Sequence, residues 1–109
     1  MFSYLKAKIT NIDYSCYPAV AELHFVDSNS EIISVVEKLD ILSSCNNLPC
    51  PIEDYFLKCK IVEEKNTQYL VDISRPYGVL SENGEFLFLV DKNMISTVHF
   101  DDRLMHDRI

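Results

Sequence analysis

Three adjacent pairs of carboxylates, Glu53-Asp54, Glu63-Glu64 and Asp101-Asp102, are the groups in this chain with the clearest chemical potential. Presented together they form a negative patch that attracts a basic partner, speeds association and occupies a phosphate-binding surface electrostatically. Their plainer role is to keep a small domain soluble. Histidines offer less. His24 lies on the outward register of an alternating segment, two residues after Glu22, while His99 alternates with Val98 and Phe100 and His106 sits near the end. A histidine base needs a nucleophile or a substrate pocket, and no motif supplies one. No two histidines have the spacing of metal ligands on one helix.

Phosphate-cradling loops and nucleophile elbows both need clustered glycines, and the only two here are Gly78 and Gly84. Asp13, Tyr14, Ser15 and Tyr17 could form an acid–base cluster, but Asp and Ser beside Pro18 read more simply as a turn with wet tyrosine hydroxyls. Four cysteines, Cys16, Cys45, Cys50 and Cys59, are expected as reduced thiols. The Cys45–Cys50 spacing could hold a metal, yet no second close pair follows it. The expectation is therefore a protein with no catalytic residues, no metal and no cofactor.

Composition narrows the partners. With 109 residues and a net charge of −7, the chain is one acidic domain. An apolar fraction of 48% gives it enough material for a core. Acidity argues against phosphate backbones and anionic lipid surfaces as partners. The first residues lack the basic and apolar regions of a secretory signal, and the longest apolar run, Phe86 to Val90, is far short of the about 20 residues a membrane span requires. A cytoplasmic protein is expected.

The elements that position these groups are strands, because period-two alternation dominates. Leu5, Ala7 and Ile9 oppose Lys6, Lys8 and Thr10; Ile12 and Tyr14 then fall out of phase, which predicts a bulge near Thr10-Asn11. Ala19, Ala21, Leu23 and Phe25 mark a second strand after Pro18. Asp27 to Ser30 is a turn. Glu31 to Leu42 fits either a helical stripe or a strand, and its β-branched pairs favour a strand to about Lys38. Ser43 to Pro51 reads as a loop, the longest irregular stretch. Phe56–Glu63 and Tyr69–Ile73 form a second hairpin. Asn83-Gly84 predicts a third, joining Tyr77–Leu80 to a central strand at Phe86–Val90. Thr97 to Phe100 could add a last strand. The sum is a mainly β fold, an antiparallel β-sandwich or small β-barrel of about seven strands with little helix. It is one domain over 1–100 with a polar tail over 101–109.

Tyr4–Ile9 and Phe56–Ile61 match in residue class at every position. A duplicated half-domain would explain the match, as would the commonness of lysines on a wet strand face. Lys6, Lys8, Lys58 and Lys60 lie on these two segments and, beside Tyr and Phe side chains, could form a small groove for single-stranded nucleic acid or another ligand.

Lys6 to Pro18, together with Arg75-Pro76-Tyr77-Gly78-Val79, resembles small acidic bacterial β-rich proteins of unassigned role. In size, acidity and β-richness the chain also resembles the immunity proteins of toxin–immunity systems, including contact-dependent growth inhibition. That resemblance implies a monomer that joins a toxin domain, commonly a nuclease, in a heterodimer and blocks its cationic cleft without catalysis. The partner-binding residues expected on the charge argument are Glu53, Asp54, Glu63, Glu64, Asp101 and Asp102. A nucleic-acid or ligand-binding barrel is the alternative, and a subunit that pairs with itself through an exposed strand edge is a third reading.

Overall fold

The computed structural model describes residues 2–15, 17–42 and 50–96. Asp101, Asp102, His99, His106, Cys16, Cys45, the strand expected at 97–100, the tail and most of the 43–51 loop lie outside the described residues.

Alternating side chains lay down a seven-stranded antiparallel sheet that curls into a half-barrel. Its strands are β1 (Ser3–Asp13), β2 (Val20–Val26), β3 (Ile32–Lys38), β4 (Ile52–Lys65), β5 (Gln68–Asp72), β6 (Leu87–Asp91) and β7 (Ile95–Ser96). They run in the order β3-β2-β1-β4-β5-β6, and β7 returns to pair with β1. A single helical turn, α1 (Leu39–Leu42), follows β3, and a 3-10 turn at Lys92–Met94 links β6 to β7.

The phase slip in β1 is a bulge, as the alternation predicts. Ile9 faces Leu23 and Asn11 faces Glu22, so Thr10 is the extra residue. Inward side chains on both sides of the bulge thus stay inward: Leu5, Ala7 and Ile9 are buried, and Ile12 packs against the same core. Ala21, Leu23 and Phe25 of β2 and Val35 of β3 complete that side. Leu57 and Cys59 of β4, Val71 of β5 and Phe88 and Val90 of β6 complete the other. The ambiguous stretch from Glu31 to Leu42 resolves into a strand over Ile32–Lys38, since branched side chains suit a pleated surface, and the helical turn α1.

The two echoing segments are cross-strand neighbours. Tyr4 pairs with Lys58, Leu5 with Leu57 and Lys6 with Phe56. Both segments share one buried and one wet face, which accounts for the matching classes on physical grounds.

The third hairpin is where expectation and structure part. Tyr77–Leu80 is not a strand, and β6 pairs instead with β5, Val71 opposite Phe88. Pro76 lacks an N–H and Gly78 sits at φ +76°, so the chain leaves the sheet after β5 and comes back only at Phe86. There the Phe86 carbonyl accepts from the Ile73 N–H at 2.9 Å. β6 is accordingly the last strand of the sheet and not a central one.

Asn83-Gly84 still makes a turn, closed by Ser81 N–H to Glu85 carbonyl at 2.8 Å, with Gly84 at φ +78°. A Cβ on Gly84 would meet no heavy atom within 4 Å, so only backbone strain opposes a side chain there. Gly84→Ala is expected to lower unfolding stability by about 1 kcal/mol and Gly84→Asn by less, read from urea midpoints.

Candidate functional site

The sheet's two end strands nearly meet. The β2–β3 turn folds over β6, with the Ser28 N–H donating to the Leu89 carbonyl at 2.8 Å. The loop before β6 reaches β3, with the Glu82 N–H donating to the Ser34 carbonyl at 2.9 Å. Between these two bridges lies a groove of about 470 Å³. Its lining sets Leu70, Leu87, Leu89 and Ile33 beside the acidic Asp27, Glu31 and Glu85. Among the described residues, no lysine or arginine lines it.

Local chemistry fixes the acidic part of the lining. One Asp27 carboxylate oxygen accepts the backbone N–H of Asn29 at 2.9 Å and of Glu31 at 3.0 Å, and Ser30 takes φ 63°. That Asp-anchored turn holds the start of β3 against the sheet. On the facing side, the Ser81 hydroxyl accepts the Glu85 N–H at 3.0 Å, and Ser81 itself is buried. Glu31 and Glu85 are both exposed, and neither forms an ion pair among the described residues.

The acids singled out by sequence are arranged differently. Glu53 pairs with Lys8 at 3.2 Å, Glu63 with Lys65 at 3.7 Å, and Glu64 with Lys92, whose ammonium also lies 5.1 Å from the Tyr69 ring. Each of these carboxylates already has a cation beside it. Asp54 is exposed and has no ion pair among the described residues. The structure does not bring these four together. Glu53 and Asp54 start β4, whereas Glu63 and Glu64 end it. Asp27, Glu31 and Glu85 line the groove instead, from segments that meet only when the half-barrel curls.

The lysines show the same interleaving. Lys8 is held by Glu53. Lys58 lies about 6 Å from three ring centroids, at 5.9 Å from Phe2, 5.9 Å from Tyr4 and 6.0 Å from Tyr77, a cation among aromatic faces. Lys6 and Lys60 are exposed. Near Lys8, the His24 Nε2 meets the Glu22 carboxylate at 2.9 Å, and a small hollow of about 190 Å³ opens beside Lys6, Lys8 and Met94.

Buried polar groups elsewhere serve the fold. Asp72 accepts the Ser74 N–H at 2.8 Å and the Ser74 hydroxyl at 2.6 Å, with Arg75 Nε at 3.4 Å, and so anchors the chain as it leaves β5. The Asp13 carboxylate accepts the Ser15 N–H at 2.9 Å, the local turn expected from sequence. Among the described residues, no three of His, Cys, Asp and Glu stand close enough to hold a metal ion. No helix among them is long and apolar enough to cross a membrane.

Burial, reinforced by the neighbouring Asp72 charge, pushes the Cys59 thiol from 9.0 up to about 12. Cys50 is exposed. In a variant carrying Cys16→Ser and Cys45→Ser, a thiol reagent near pH 8 is expected to modify Cys50 at once and Cys59 only after unfolding. The unfolded chain releases the Cys59 proton first, so its effect on stability is nil below about 9 and destabilising as pH rises from 9.0 to about 12.

Comparison of the chain with protein families, curated proteins and solved structures gave no match.

Proposed function

We propose that this protein is a non-catalytic inhibitor of the immunity-protein kind, which binds a basic toxin domain, most simply a nuclease, through the acidic groove at the sheet's closing seam. The observation that carries the reading is that groove: Asp27, Glu31 and Glu85 line it beside Leu70, Leu87 and Leu89, with no lysine or arginine among the described lining residues. Elsewhere Glu53, Glu63 and Glu64 are balanced by adjacent lysines. A surface that leaves its carboxylates unbalanced attracts a cationic cleft, and the leucines in its lining supply apolar area to bury once contact is made. Binding of this kind needs no reaction, so the protein works by occupancy, in the cytoplasm where its partner would otherwise act.

The test is co-expression with the product of the adjacent gene. A stable one-to-one complex and survival of cells that otherwise succumb to that product support the reading. Absence of both a complex and protection overturns it.

A further inference from the structure

The backbone of β6 adds something the charges do not. Phe86 accepts from Ile73 on the β5 side, while Leu89 accepts from Ser28 on the opposite side. Backbone groups of successive strand residues alternate in direction, so Leu87 and Leu89 both turn their N–H and carbonyl away from β5. Among the described residues only the Leu89 carbonyl meets a backbone donor there; the Leu87 groups and the Leu89 N–H have no backbone partner. Leu87 is 46% exposed and lines the acidic groove. A strand edge therefore lies open along the groove.

Resting on the reading of a basic partner, we infer that the groove takes a short extended segment of that partner, with alternating cationic and apolar residues, added to the free edge of β6. Its main chain bonds the outward N–H and carbonyl of Leu87. One set of its side chains meets Glu31 and Glu85; the alternate set packs towards Ile33 and Phe88. Charge complementarity selects the segment, and the edge fixes its register. The Ser28 bridge at Leu89 limits the added strand to a short stretch.

The probe is an acetylated, amidated heptapeptide of alternating lysine and valine, titrated by calorimetry at low salt. Binding is expected, with loss of at least tenfold in affinity when alternate backbone nitrogens of the peptide are methylated, since charge and side chains are then unchanged but donors are gone. Leu87→Pro is expected to weaken the unmodified peptide similarly: it deletes an N–H that β5 does not use, a position where an edge strand tolerates proline. Equal affinity for the methylated peptide overturns the strand-addition inference and leaves the acidic-groove reading standing. No binding of either peptide while the co-expressed complex persists likewise overturns the inference alone; loss of that complex as well removes both.

Discussion

Reversing the charge at Glu31 and Glu85 together, as Glu31→Lys with Glu85→Lys, is expected to weaken the proposed complex with a basic partner by about a hundredfold or more. Thermal stability should stay close to that of the parent protein. Both side chains are exposed, and the turns that carry them are fixed by other groups: the Asp27 carboxylate for Glu31 and the Ser81 hydroxyl for Glu85. Each reversal removes an attraction and adds a repulsion inside one groove, so the effects compound. The association rate should fall and the salt dependence should flatten.

The comparison that gives this result meaning is reversal at Glu63 or Glu64. Those carboxylates are already paired with Lys65 and Lys92, so their contribution to an outside partner is largely cancelled. A small change is expected there, within about threefold, consistent with exposed ion pairs. A larger loss at Glu63 and Glu64 than at Glu31 and Glu85 would move the binding face to the far end of β4 and contradict the groove.

The acids that line the groove lie far apart in sequence, so a local pattern does not group them. Strands were legible because their signal is local: Leu5, Ala7 and Ile9 alternate with lysines, and even the bulge at Thr10 is written as a phase slip within one strand. The seven-strand β character followed from such segments. Asp27 and Ser28 announced a turn, and Asn83-Gly84 announced another. What no local pattern contains is that these two turns flank the same groove. That depends on how far the sheet curls, and curl is set by packing across the core. Adjacent acids such as Glu63-Glu64 attract notice because they are adjacent in sequence, yet Lys65 on the same strand and Lys92 in the 3-10 turn balance them. The misassigned hairpin has the same origin. Phe86 to Val90 is apolar on both faces, which reads as a central strand. Leu89 is half-buried beneath the β2–β3 turn and Leu87 lies in the groove, so the second apolar face serves a seam at the sheet's end.

Beside its two backbone bridges that seam carries an aromatic contact, and breaking it is expected to have the largest effect on stability. Phe25 of β2 and Phe88 of β6 meet edge to face, with ring centroids 5.2 Å apart and planes at 82°. Both are buried, at 2% and 7% exposure, and they join strands from opposite sides of the sheet. Phe25→Ala and Phe88→Ala should each lower unfolding stability by about 3–5 kcal/mol, through lost burial and the cavity left behind. In the double variant the losses should fall short of additive by about 1 kcal/mol, because each single variant already removes the shared contact. Full additivity would mean that the rings merely fill separate space. The same cycle bears on function. Leucine at either position restores most of the volume without the edge-to-face geometry, so Phe88→Leu should keep the fold while loosening the turn over β6. Partner affinity should then fall although every carboxylate remains, because a groove whose walls move must be ordered before it can bind.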